Sequence, residues 1–550
     1  MKKTIRNIIL LGITLLVGFI YYYVTLPAIN IHSVGFWEFV ILLLLCLSGV
    51  SYLFNLKLHF KGSFAEGVTI EKESIKDYQK GKFSKTTKFL LRLTGLAVII
   101  FIVGSILSSP IINAKKYQQL LTVETRDFNE DIKEIDYNQI PLLDKESSTL
   151  LGNRKMWSMV DMVSQFEVSD LYSQINYQGK PVRVSPLIYA SPIKWLTNQS
   201  KGIPAYILID MTTQNTECVK LEEGIKYSQS EYLNRNIYRH LRFKYPTYIF
   251  DTINFEIDEE GTPYWIAPVK KFNIGLFGGQ TIGRVVLCNA ITGETTDYAV
   301  EDVPTWVDRV YSAELLTTLY NYYGNFKHGF LNSVLSQKDC LQTTSGYNYL
   351  ALDDDVWVYT GITSVNGDQS NVGFVLMNQR TMETRFYNIE GATEESAMAS
   401  AQGQVQNLGY RATFPLLLNI AGEPTYFIAL KDNAGLVKKY AMVNIQKYQW
   451  VAIGDTVSEC EEAYLDLLTS NGITNVKPLS KQTVTGTISK IAPCVIDGNT
   501  HYLIMLEGSE TIYNLDLTKH MDMIRYEVGN TIEFEYTEDT MPFSITNLIS

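Results

Sequence analysis

The pattern of apolar and polar positions divides the chain into three parts. Residues 8–24, 36–54 and 89–112 are nearly unbroken apolar runs, each close to the roughly 20 residues that cross about 30 Å of hydrocarbon. The first follows Lys2, Lys3 and Arg6, as the core of a signal peptide would. No small-residue cleavage site comes after it and a second apolar run does, which predicts a retained helix. From about residue 150 the pattern shifts to short aromatic and β-branched runs between clusters of Gly, Asn, Asp and Thr, as antiparallel strands require. Beyond residue 480 it shifts again. Segments 483–496, 501–506, 511–517, 531–536 and 545–548 alternate like five short strands, with a helical stretch at 520–525 between the third and fourth.

The middle part repeats itself. Residues 422–453 read as a hairpin: an apolar run at 426–430, a turn through Asp432, Asn433 and Gly435, and a return run ending at Asn444. Before it, residues 394–408 place Ala397, Ala401 and Val405 on one helix face, small enough for close docking on a sheet. Its Gly, Pro, aromatic, Ile entry recurs at Gly261–Ile266 and Gly202–Ile207. The turn recurs as LIDMTTQNTE, VLCNAITGET and VLMNQRTMET, beginning at Leu208, Val286 and Val375. A helix-plus-hairpin unit in several copies is the expected architecture. The boundaries predicted are a membrane region at 1–112, a stalk at 113–150, and units at 151–227 and 228–304. An aromatic helical insertion at 305–352 then breaks the repeat. A third hairpin at 353–392, a fourth unit with its following helix at 393–472, and the five-strand segment at 480–550 complete the chain.

Charge sharpens the membrane reading. Residues 1–109 hold 12 Lys and Arg against 5 Asp and Glu, a balance of +7; against a chain total of −11, the remainder carries −18. The first connection, 27–35, has no Lys or Arg, whereas the basic loop at 56–88 holds eight Lys. The positive-inside rule places that loop and the N-terminus in the cytoplasm, and three spans then place residues 113–550 outside. The membrane region supplies the contact with lipid. An acidic bulk argues against nucleic acid as a partner, because phosphate binding relies on clustered Lys and Arg. Six cysteines without a CxxC pair, and six scattered histidines, predict neither a disulfide framework nor a metal site.

Candidate chemistry is sparse. Asp353, Asp354 and Asp355 form an acidic cluster that could hold calcium or supply an acid/base pair, but the EF-hand spacing is absent and a solvated strand entrance is the expectation. Residues 275–279, GLFGG, lack phosphate-loop spacing and predict a turn. A Cys340–His328 pair has no sequence support beyond proximity. No catalytic residue, metal ligand or cofactor is predicted. Trp306, Tyr311, Tyr320, Tyr322, Tyr323 and Phe326 crowd one segment. They form a candidate interaction surface, since Tyr and Trp combine contact area with a polar tip, although core packing accounts for them equally.

The ITGET turn at Ile291, with LLLNIAGEPTYFIAL and KKYAMVNIQKYQWVA, resembles PepSY domains; Met382 and Tyr448 stand where that family usually has Gly. The five-strand segment, with VTGTISKIAPCVI and VGNTIEFEY, resembles an OB-type barrel. The whole resembles large three-span exported proteins of low-GC Gram-positive bacteria. These resemblances imply a membrane-anchored α+β fold and a non-enzymatic binding or scaffold role in the bacterial envelope, toward a protein partner such as a peptidase or a wall-assembly machine. Alternatives are an envelope hydrolase using Asp353–Asp355 on peptide or peptidoglycan, and a component of a conjugation or uptake machine.

Overall fold

The computed structural model describes residues 2–55, 60–61, 69–70, 83–133, 140–352, 354–365, 370–473, 481–496, 499–537 and 542–549. Helices Lys2–Thr25, Val34–Asn55 and Lys85–Ser108 pack in order. Tyr21 stacks on Phe39 at 5.8 Å, and Ser51 hydrogen-bonds Thr87 at 2.9 Å. By length and composition, two stretches among the described residues can cross a membrane, Val34–Tyr52 and Lys85–Ser108. In the first helix the apolar stretch among the described residues is Leu11–Thr25. The sequence expectation of three spans is thus met for two. The last helix stops at Ser108 and does not run to 112. Pro110 holds Ser109 extended (ψ 155°) and opens a separate helix, Pro110–Gln118, as the restriction on a residue before proline demands.

Among the described residues, four larger, mainly antiparallel sheets make up the body, and each has its own helix. Helix Lys145–Trp157 packs on the first sheet, whose main strands are Lys180–Tyr189, Ile203–Asp210 and Thr216–Ile225. Helix Ile237–Lys244 shares a core with the first and second sheets, Ala313–Asn325 with the second and third, and Glu394–Gln404 with the third and fourth. The centre of the second sheet is the pair Pro263–Ile274 and Gly278–Asn289, of the third Asp355–Ser364 and Gly373–Asn378, and of the fourth Glu423–Lys431 and Val437–Asn444. Central strands covered on both faces read as continuous apolar runs, as Ile428–Leu430 and Val356–Tyr359 do.

The recurrent turn has a recurrent geometry. Asp210, Asn289 and Asn378 each end a strand, and each side-chain Oδ1 accepts from the backbone N–H groups two and three residues on. Each backbone N–H also bonds the carbonyl five residues later, at 2.9, 2.9 and 2.8 Å. The residue four positions on is left-handed in all three: Gln214 (φ 62°), Gly293 (φ 77°) and Met382 (φ 66°). In the fourth unit the loop is one residue longer, and Asn444 bonds Trp450 instead.

Two expected boundaries fail. The predicted aromatic insertion contains helix Ala313–Asn325, which holds the same place in the third unit as the other helices hold in theirs, so it continues the repeat. Its dense Tyr and Leu face two sheets at once. The predicted stalk is also part of the body. Glu124–Arg126 pairs in parallel with Thr384–Tyr387, and Phe128, Ile132 and Ile140 are buried under the third and fourth sheets. This segment is rich in charge, but its buried apolar residues anchor it.

The body sits directly on the helix ends. Ile29 N–H donates to Pro246 O at 2.7 Å, Arg242 donates to Leu26 O at 2.9 Å, and His32 stacks on Phe272 at 5.4 Å. The 275–279 segment is the turn expected, with Gly275 and Gly279 left-handed. Its Phe277 packs against Phe101 at 5.2 Å and donates its N–H to Ser108 Oγ at 3.1 Å. Residues 26–33 and Ser108 therefore meet the same second sheet.

The C-terminal strands, Lys481–Ile496, Asn499–Leu506, Ile512–Asp516, Thr531–Thr537 and Phe543–Ile549, close into a barrel in the order first, second, third, fifth, fourth. Its third and fifth strands run parallel, and a 3₁₀ turn, Met521–Arg525, lies between the third and fourth.

Candidate functional site: a polar cavity where three sheets meet

Asp353 lies outside the described residues. Its neighbours do not converge. Asp355 is buried at the head of its strand and held by Arg380 through two bonds of 2.6 and 2.7 Å. Asp354 is exposed and left-handed (φ 67°), and accepts from Asn176 Nδ2 at 2.8 Å. A carboxylate neutralised by a bidentate guanidinium is a poor base. Cys340 and His328 are not partnered either. The thiol donates to Asn325 O at 3.3 Å and burial raises its pKa, while His328 bonds Asp339 at 3.0 Å. Among the described residues no three His, Cys, Asp or Glu side chains gather as a metal would need.

The aromatic candidates serve mainly as packing. Tyr311 and Tyr320 are buried. Tyr322 stacks on Phe326 at 5.8 Å and meets Tyr117 edge-on at 4.8 Å. Tyr117 in turn donates to Ser108 O at 2.6 Å, so this aromatic run ties the third-unit helix to the exit of the last apolar helix. Trp306 packs against Tyr264 at 5.1 Å and Tyr323 against Tyr320 at 5.9 Å.

Two features stand out that the sequence reading did not single out. Beside Asp354 and Asp355 lies a pair of fully buried carboxyls. Glu256 accepts the backbone N–H groups of Asp308 and Arg309, both at 3.0 Å. Asp308 accepts Asn176 N–H at 2.6 Å. Burial pushes Glu256 up to about 7; burial and then the Glu256 charge push Asp308 well above its ordinary value. The pair joins the first, second and third units.

The second feature is a cavity of about 370 Å³ between the first, third and fourth sheets. Gln174 and Arg183 stand opposite each other on neighbouring strands of the first sheet, so both side chains share one face. Arg309, Tyr347 and Tyr349 form the opposite wall, and Phe414 and Phe427 come from the fourth unit. Arg183 is only 6% exposed. One hydrogen bond, Nη2 to Gln174 Oε1 at 3.2 Å, is its sole partner among the described residues. The Nε atoms of Arg183 and Arg309, Gln174 Nε2 and Tyr172 OH are buried without a hydrogen-bond partner among the described residues. Burial lowers Arg183 to about 10, so it stays charged at neutral pH. Acids at the rim are already engaged. Asp144 bonds Lys431 at 2.6 Å, and Glu314 accepts from Tyr347 at 3.0 Å. Burial acts to raise the Asp144 carboxyl, but bonds from Lys431 and Ser147 outweigh it and leave it below its ordinary value.

No protein-family model matches the chain, and no curated protein does.

Proposed function

We propose that this protein is a membrane-anchored binding or scaffold protein of a bacterial envelope, without catalytic activity, whose repeats face outward and engage a protein partner. The observation that carries this reading is the seating of the second sheet on residues 26–33 and Ser108. Both lie at the helix ends opposite the lysine-rich loop 56–88, and the positive-inside rule keeps that loop in the cytoplasm. A third span within Lys2–Thr25 belongs to the same reading. The repeated helix and sheet, with the left-handed turn position shared by Gly293 and Met382, support a PepSY-like ancestry. The barrel's strand order, with parallel third and fifth strands, supports an OB-like assignment. Residues 481–550 hold four basic and ten acidic residues, which argues for a protein contact over nucleic acid.

The hydrolase alternative would rest on Asp354 and Asp355, and the ion pair with Arg380 weighs against it. Cross-linking of intact cells should trap the protein in a discrete larger complex. The D354N and D355N variants should leave release of soluble peptidoglycan fragments unchanged. A drop in that release would favour the hydrolase.

A further inference from the structure

Arg183 presents a physical problem that the fold alone does not solve. A guanidinium withdrawn from water keeps its charge, and without a counter-ion it carries a large desolvation penalty. Buried arginines are ordinarily paired for that reason. Here the neighbouring strand offers Gln174 in place of an acid; Asp144 acts on Arg183 only through space and is itself bonded to Lys431, and Arg309 repels it. Arg309 sits over the Tyr349 ring at 5.7 Å and likewise has no ion pair among the described residues. This cationic pair lies inside a body that is acidic overall.

We infer that the cavity binds a small monocarboxylate with an apolar or aromatic arm, its carboxylate taken by Arg183 and its arm lying between Tyr347, Tyr349, Phe414 and Phe427. Three features fix the class. Two guanidinium groups with no ion pair among the described residues supply the planar donors that recognise a carboxylate. Asp144 and Glu314 at the rim disfavour an anion of higher charge. A volume of about 370 Å³ falls at the small end of ligand pockets, so one or two amino-acid residues fit and a polymer does not. The carboxylate can come from a free acid or from the C-terminus of a short peptide. This inference does not depend on the sidedness of the body.

The test uses the full chain in detergent micelles, with N-acetyl-phenylalanine as the free-acid probe and an acetylated Ala-Phe dipeptide as the peptide probe. The corresponding amides and phenyl phosphate are controls. The acids should raise the thermal midpoint in proportion to the logarithm of their concentration, and the amides should not. Whichever acid gives the larger shift identifies the source. Arg183→Met should fold with a midpoint at least equal to the parent's without ligand, since an unpaired buried charge is replaced by an apolar chain of similar length. It should bind the acid about tenfold or more weakly. Equal shifts from acid and amide, tighter binding of phenyl phosphate, no shift at millimolar acid, or full affinity in Arg183→Met would each overturn the proposal. If Arg183→Met fails to fold, Arg309→Gln takes its place, and unchanged affinity there overturns it equally.

Discussion

Gln214, Gly293 and Met382 occupy the same left-handed position in three hairpins, yet only one is glycine. A non-glycine residue pays about 1–2 kcal/mol there, partly offset by the chain entropy that glycine loses. Gln214→Gly should therefore stabilise the protein by about 0.5–1 kcal/mol. Gly293→Ala should destabilise it by more, because a Cβ at this position would run into the Tyr227 ring. Chemical denaturation of the two variants checks both signs. The buried acid pair gives a second prediction at this scale. Glu256 ordinarily titrates near 4.5 and is raised to about 7. Below the lower value folded and unfolded chains both hold the proton. As pH rises between the two, the unfolded chain releases it first, so stability falls across that window and levels off above it. Asp308→Asn removes the second carboxyl whose titration is raised, by burial and then by the Glu256 charge, and with it a second loss of stability as pH rises. Its thermal midpoint relative to the parent should improve steadily as pH rises above about 4; a difference independent of pH would contradict the raised titration of Asp308. The repeated Asn and Asp turns were legible in the sequence because turn chemistry is local. Arg183 was missed, although a lone basic residue inside PVRVSPL, a run covered on both faces, is the kind of exception that marks a site. The Glu256–Asp308 pair was not legible, since only the fold brings 52 residues of separation to hydrogen-bond distance.

Among elements, helix Glu394–Gln404 ends four residues short of the 394–408 stretch expected, with Val405 as its cap and off helical geometry. Ala397 and Ala401 are fully buried, as the i, i+4 face expected, and Val405 is buried beyond the helix end. Ala401→Trp should overpack this contact and cost roughly 1–3 kcal/mol or more. Gln402 is a poor control because its Oε1 accepts the Ala412 N–H at 2.9 Å. Ala399, exposed on the same helix, serves instead, and Ala399→Trp should cost much less. Equal losses in thermal melts would mean that the helix is not docked on this face. The barrel strands were also legible, because strict alternation is a strong signal for a half-buried strand. Helix Ala313–Asn325 was found but read as an insertion that breaks the repeat. Its aromatic density fitted a surface and a core equally, and a helix packed between two sheets needs large apolar side chains on more than one side.

At the scale of the whole molecule, the proposed function stands on one arrangement, in which the apolar helices cross the membrane with loop 56–88 inside and the four sheets and the barrel outside. Cys46, Cys218 and Cys494 are exposed or half-buried and are replaced by serine, so that single cysteines can report sidedness. One is placed at position 74 in the lysine-rich loop and another at Ala399 on the fourth unit's helix. A membrane-impermeant thiol reagent applied to intact cells should label position 399 fully. Position 74 should be labelled only after the cells are opened. Labelling at 74 with protection at 399 would contradict the arrangement and move every binding surface described above into the cytoplasm.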